Sequence, residues 1–187
     1  MKNISKFILL RLMGWKIVND FPKSIKKYII IVAPHTSWVD FPVSILVKFI
    51  TKVDIKFIGK HTLFQPPFGF FFRALGGTPV DRSKSQSMVQ AIVDIFNSKE
   101  SFVMALSPEG TRKKTRQWKS GFYHVAKGAN IPLVMASLDF KNKKVIISEP
   151  FYLSDNEVQN IQKIQTFFKG IEGKHPENFD PDFTLKV

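Results

Sequence analysis

At 187 residues the chain has room for one domain built around a single sizeable core. Apolar residues make up 44% and charged ones 23%, the balance of a folded rather than a disordered protein. The absence of Cys excludes disulfides, thiolate zinc sites and cysteine nucleophiles.

The charge is less ordinary, with 28 basic against 15 acidic side chains and a net +13. A field of this sign attracts polyanions: nucleic acid, an anionic bilayer or an acidic protein. Of the basic residues 23 are Lys and 5 are Arg, which favours diffuse attraction over planar bidentate recognition. The Lys are scattered and no nucleic-acid readout motif is present.

Residues 1–20 read as an amphipathic helix. Lys2, Ser5, Lys6 and Lys16 share one side of a helical wheel, opposite Ile4, Phe7, Ile8, Leu12, Trp15 and Val18. Such a helix either packs on the domain or lies in a membrane interface. Arg11 and Lys16 break the apolar run, which is too short to span a bilayer, and no cleavage site follows. Residue 1 onward therefore reads as mature protein.

Apolar strands then alternate with helical patterns. Strands are predicted at 27–33, 53–59, 78–81 and 101–106, and two more in "IPLVMASLDF" and "KVIISEP". Helices are predicted at 42–52, in "SQSMVQAIVDIFNS", in "GFYHVAKGAN" with Gly128 as a left-handed cap, and after "SDNE". There Ser154 and Glu157 have capping-box spacing. The tail 174–187 lacks periodicity and is expected to be irregular and loosely held. This pattern predicts one α/β domain over 1–187, with a mixed, largely parallel sheet flanked by helices. Ligands of such sheets sit beyond the carboxyl ends of the strands.

Four loops follow strands or lead into them. In "PHTSWVD", His35 comes as the first long strand ends, and Asp40 stands five residues on. A histidine held by a carboxylate is a general base near neutral pH. Five residues along a regular helix would separate the two side chains by some 140°, so His35 must lie in the turn before the helix. The plainer reading makes Asp40 an N-cap and His35 an ordinary loop residue. "GGTPVDR" offers Gly76 and Gly77 for close backbone approach and Arg82 for an anion. "SPEGTR" fits a type I turn carrying Glu109, Gly110, Thr111 and Arg112, where Glu109 either orients Arg112 or accepts from a substrate hydroxyl. The cations that follow, Lys113, Lys114 and Arg116, read as a solvated face. "NIPLVMAS" reads as core. His61, His124 and His175 have no carboxylate at a useful spacing.

Taken together and in this order, the four loops resemble the glycerolipid acyltransferases, the 1-acylglycerol-3-phosphate acyltransferase family. Its N-H-x-S-x-x-D block aligns with Pro34 to Asp40, its Gly-apolar-Asp-Arg block with Gly77 to Arg82, its E-G-T-R block with Glu109 to Arg112, and its last block with Ile131-Pro132. Pro34 stands where the family usually has Asn. The resemblance implies the family's glycerol-3-phosphate acyltransferase-like fold and a transfer of a fatty acyl group to a lysophospholipid hydroxyl, most simply making phosphatidic acid. His35 and Asp40 would be catalytic, with Ser37, Arg82, Glu109, Gly110, Thr111 and Arg112 around the acceptor.

The resemblance implies no metal, no cofactor and no covalent intermediate; acyl-CoA or acyl-carrier protein is the co-substrate. Both donors and an anionic membrane surface would be drawn by the basic charge, which places the protein peripherally or monotopically on the cytoplasmic face of a membrane. The aromatic run "PPFGFFF" then lines an acyl tunnel, dips into the interface or packs in the core. Two competing readings are an acyltransferase for another lysolipid, such as a lyso-aminolipid, and a non-catalytic basic lipid-binding protein.

Overall fold

Strand β2 (Lys27–Ala33) is apolar on both faces, and so it sits at the centre of a sheet covered on both sides. Its side chains divide by parity. Ile29, Ile31 and Ala33 enter one core layer, whereas Tyr28 and Ile30 enter the other. Strand β7 (Leu133–Asp139), buried along its whole length, divides in the same way. Each fully buried Ile or Leu here contributes roughly 1.5–3 kcal/mol of transfer free energy.

The computed structural model describes residues 1–80 and 85–187. Around β2 and β7 stand β1 (Lys16–Val18), β3 (Ile55–Lys60), β4 (Gly77–Val80), β5 (Phe102–Leu106) and β8 (Lys144–Ile147). Their order is β1-β8-β7-β2-β5-β3-β4, and every pair is parallel except β7–β8. A separate two-stranded ribbon pairs β6 (Gln117–Trp118) with β9 (Thr184–Leu185). The sheet is the mixed, largely parallel α/β sheet that the strand–helix alternation implies.

Helix α1 (Lys2–Lys6) and α2 (Asp40–Thr51) cover one face, with Leu9, Val43, Val47 and Ile50 buried beneath them. On the other face lie α4 (Ser85–Ser98), α5 (Gly121–Gly128) and α6 (Glu157–Phe168). The short α3 (Gly69–Ala74) carries the aromatic run beside β4.

Several local expectations need correction. The N-terminal helix ends early: α1 passes into a wider π-helical turn, Phe7–Leu12, and residues 16–18 form a strand. That turn bonds the Met13 N–H to Ile8 O five residues back and rotates the wheel. The buried face is instead the one carrying Ser5 and Leu9, four residues apart, while Ile4, Phe7 and Leu12 face outward. In α5 the left-handed residue is Asn130 and not Gly128. Gly128 instead lets α5 approach α4, since a Cβ there would lie 3.0 Å from Val93 Cγ2. Helix α6 is capped by Asn156, whose side chain accepts from the Gln159 N–H at 3.1 Å, and not by Ser154.

The tail is irregular for much of its length, yet it is not loosely held. Phe179, Phe183 and Leu185 are buried, and Phe183 stacks on Trp118 with ring centroids 3.5 Å apart. Gln165 Nε2 donates to Phe183 O at 2.7 Å.

Candidate active site

The site lies beyond the carboxyl ends of β2 and β5, which are neighbours in the sheet. The chain leaves β2 through Ala33 and Pro34, turns through His35–Val39 and enters α2 at Asp40. His35 Nδ1 lies 3.0 Å from Asp40 Oδ2. The same oxygen accepts the Ser37 N–H at 2.9 Å, which closes the turn and fixes the carboxylate against the ring. Asp40 is not an N-cap: the residue before the helix is Val39, and no side chain caps this end. A carboxylate only accepts, so the bond puts the imidazole proton on Nδ1 and leaves Nε2 as a basic lone pair. The Asp40 side chain is 3% exposed and that of His35 32%, so the ring keeps contact with solvent while its partner is buried.

Glu109 approaches from the loop after β5. Its Oε2 accepts the His35 backbone N–H at 2.8 Å and the Ser107 hydroxyl at 3.3 Å. The turn that carries it closes from Gly110 N–H to Ser107 O at 3.3 Å. Burial is the main force on this carboxyl and lifts its pKa from 4.5 to about 8, with the nearby Asp40 charge adding to the rise; the two hydrogen bonds oppose it. Glu109 Oε1 is buried without a hydrogen-bond partner, which suits a neutral carboxyl better than a carboxylate.

The remaining expected site residues divide. Ser37 is buried, and its hydroxyl accepts the Val39 N–H at 3.3 Å within the turn. Gly110 has a positive φ of 66° and packs near the Lys119 stem, 3.5 Å from where a Cβ would stand. Thr111 accepts the Lys113 N–H at 3.1 Å. Arg112 is exposed and makes no ion pair among the described residues, so Glu109 does not orient it. Arg82 and Asp81 lie outside the described residues. Gly76 and Gly77 admit protein rather than ligand: a Cβ on Gly77 would come within 2.8 Å of the Phe57 and Phe64 rings. His61 and His124 are exposed, and His175 Nδ1 does lie 3.4 Å from Glu177, on the surface. Among the described residues no group of His, Asp and Glu is arranged to hold a metal.

Two features were missed by sequence reasoning. One is the Glu109 bond to the His35 backbone, across 74 positions. The other is Thr36, whose buried hydroxyl accepts the His175 N–H at 3.1 Å. The aromatic run is mixed. Phe72 packs on Phe41 and Phe64, whereas Phe68, Phe70 and Phe71 are exposed. Trp38, in the turn between β2 and α2, is 70% exposed.

Residues 16–139, about two thirds of the chain and including every one of these turns, match the acyltransferase family. The chain belongs to the acyltransferase family. Its fold is similar to that of the 1-acyl-sn-glycerophosphate (LPA) acyltransferase PlsC from Thermotoga maritima, with a TM-score of 0.56 and 19% identity. That match covers 87% of this chain and 75% of the other. No curated protein sequence matches. In this acyltransferase His35 stands with a buried carboxylate against its ring, a braced backbone and a partly exposed side chain.

Proposed function

We propose that the protein transfers a fatty acyl group from acyl-CoA or acyl-carrier protein to the free hydroxyl of a lysophospholipid, 1-acylglycerol-3-phosphate above all, giving phosphatidic acid. The observation that carries this reading is the 3.0 Å contact between His35 Nδ1 and Asp40 Oδ2 at the carboxyl edge of the sheet, inside a family match. His35 Nε2 takes the acceptor hydroxyl proton as that oxygen attacks the thioester carbonyl. The tetrahedral intermediate collapses, the C–S bond breaks, and the departing thiolate recovers the proton from Nε2. Asp40 holds the ring and stabilises the transient imidazolium. A thioester is already activated, so positioning and a base suffice and no further cofactor enters.

Arg112, exposed and unpaired among the described residues, and Arg82 supply cations for the acceptor phosphate. A peripheral seat on the cytoplasmic face of an anionic membrane completes the reading. Met1, Ile4, Phe7 and Leu12 are exposed, with Lys6 and Arg11 exposed among them, the mix of apolar contact and cation that suits a bilayer surface. Among the described residues no helix is long and apolar enough to cross a membrane.

The test is product mass spectrometry after incubation with a panel of lysolipids and both donor types, alongside His35→Ala. Acyl product from lysophosphatidic acid, lost in His35→Ala while the fold survives, supports the assignment. Product only from phosphate-free lysolipids moves the acceptor, and binding without turnover on any pair overturns the enzyme reading.

A further inference from the structure

The catalytic turn is held by more than Asp40 and Glu109. Behind it runs residues 172–185, a strap that begins after α6 and ends in the β6–β9 ribbon. Glu172 O accepts the Phe140 N–H at 2.9 Å, next to the end of β7. Gly173 is buried directly against the turn: a Cβ there would lie 2.6 Å from Thr36 Oγ1 and 3.0 Å from both Pro34 Cβ and Thr36 Cγ2. Two residues on, the His175 N–H reaches Thr36 Oγ1. Phe179 and Phe183 then anchor the strap in the core, and Thr184 N–H donates to Arg116 O at 2.7 Å.

These contacts close a ring. Arg116 leads to Lys119, whose N–H donates to Pro108 O at 2.8 Å, and the adjoining Glu109 bonds the His35 N–H. The turn after β2 and the loop after β5 are thus joined twice, once by Glu109 and once by the strap.

We infer that the strap is a positioning element for the acyl-transfer base, acting on His35 through the Gly173 seat and the Thr36 hydroxyl. It touches no reacting atom. Its effect is on where the imidazole stands, and a misplacement of about 1 Å costs on the order of 100-fold in rate. The inference rests on the acyl-transfer reading above for its kinetic test, and has a second readout that does not.

The experiment compares wild type with Thr36→Val, which keeps the shape and removes the acceptor, Thr36→Ser, which restores it, and Gly173→Ala. Turnover is measured with lysophosphatidic acid and acyl-CoA or acyl-carrier protein, Tm by calorimetry, and the His35 tautomer from ring nitrogen NMR shifts. Expected is a fall in kcat of roughly tenfold or more in Thr36→Val and Gly173→Ala, with KM within about twofold. Thr36→Ser should recover most of the rate, and Thr36→Val should lose the single Nδ1–H tautomer signal. Thr36→Val is decisive if Gly173→Ala does not fold. A kcat within about twofold of wild type in Thr36→Val overturns the inference, as does a fall in kcat accompanied by unchanged His35 signals. If wild type turns over no donor–acceptor pair, the acyl-transfer reading has failed. The strap is then judged on the tautomer signal, and unchanged His35 shifts in Thr36→Val overturn it.

Discussion

Glu109 Oε2 accepts the backbone N–H of His35 at 2.8 Å, so an acidic side chain on one loop fixes the main chain of another. The carboxyl does this while buried and near neutral, which ties the site to the pH dependence of the fold. The folded carboxyl keeps its proton to about pH 8, whereas the unfolded one releases it around its ordinary 4.5. Between those values the folded state binds more protons, so stability falls as pH rises through that window and levels off above it. Glu109→Gln removes this contribution. Urea midpoints measured from pH 5 to 8 should show the wild type falling relative to the variant as pH rises, with the flatter slope in the variant. Parallel slopes would refute the assignment.

Removing the His35 ring tests the proposed chemistry. His35→Ala should lower kcat by on the order of 100- to 10,000-fold, the range for loss of a general base, with Tm nearly unchanged because the ring is partly exposed. Asp40→Asn should also lower kcat, and in addition lower stability by about 1–3 kcal/mol, since it puts an amide where the bare buried Oδ1 stands. Calorimetry on the two variants separates these outcomes.

Arg112 offers a test of the acceptor's charge. Arg112→Ala should raise KM for lysophosphatidic acid several-fold and leave KM for a phosphate-free lysolipid unchanged. Equal effects on both acceptors would remove phosphate from its role.

The outward face of the N-terminal segment predicts a binding phenotype. Replacing Ile4, Phe7 and Leu12 together with Ser should weaken sedimentation with anionic vesicles while leaving Tm within a few degrees, because all three are exposed. Vesicle binding equal to wild type would assign membrane contact elsewhere.

The Trp118–Phe183 stack gives a stability prediction. Phe183→Ala opens a cavity under a fully buried ring and should cost about 3–5 kcal/mol in urea unfolding. A cost below about 1 kcal/mol would mean that the tail contributes little to the fold.

Much of this architecture was legible because it is local. The continuous apolar runs of β2 and β7 show their two-sided burial in composition alone, and the five-residue spacing of His35 and Asp40 already requires a turn between them. The partner of Glu109 was not legible. Sequence offered Arg112 three positions away, while the true contact is a backbone N–H on a distant loop, and hydrogen bonds of that kind leave no periodic trace. The tail failed for a related reason: Phe179, Phe183 and Leu185 are anchors without a repeating interval, so no pattern separates them from a loose end. At the N-terminus a small polar residue misled the wheel: Ser5 shares the buried face with Leu9, and the larger Ile4, Phe7 and Leu12 lie outside, so side-chain apolarity pointed to the wrong stripe.

The two outer strands of the large sheet carry a consequence for self-association. β1 is only three residues long and bears an exposed Lys16, while β4 contains Pro79, which has no N–H to offer a neighbouring chain. Neither rim therefore makes a good template for another strand. Strand pairing between copies is thus disfavoured at the backbone, independently of what outward rings such as Phe68, Phe70 and Phe71 bind.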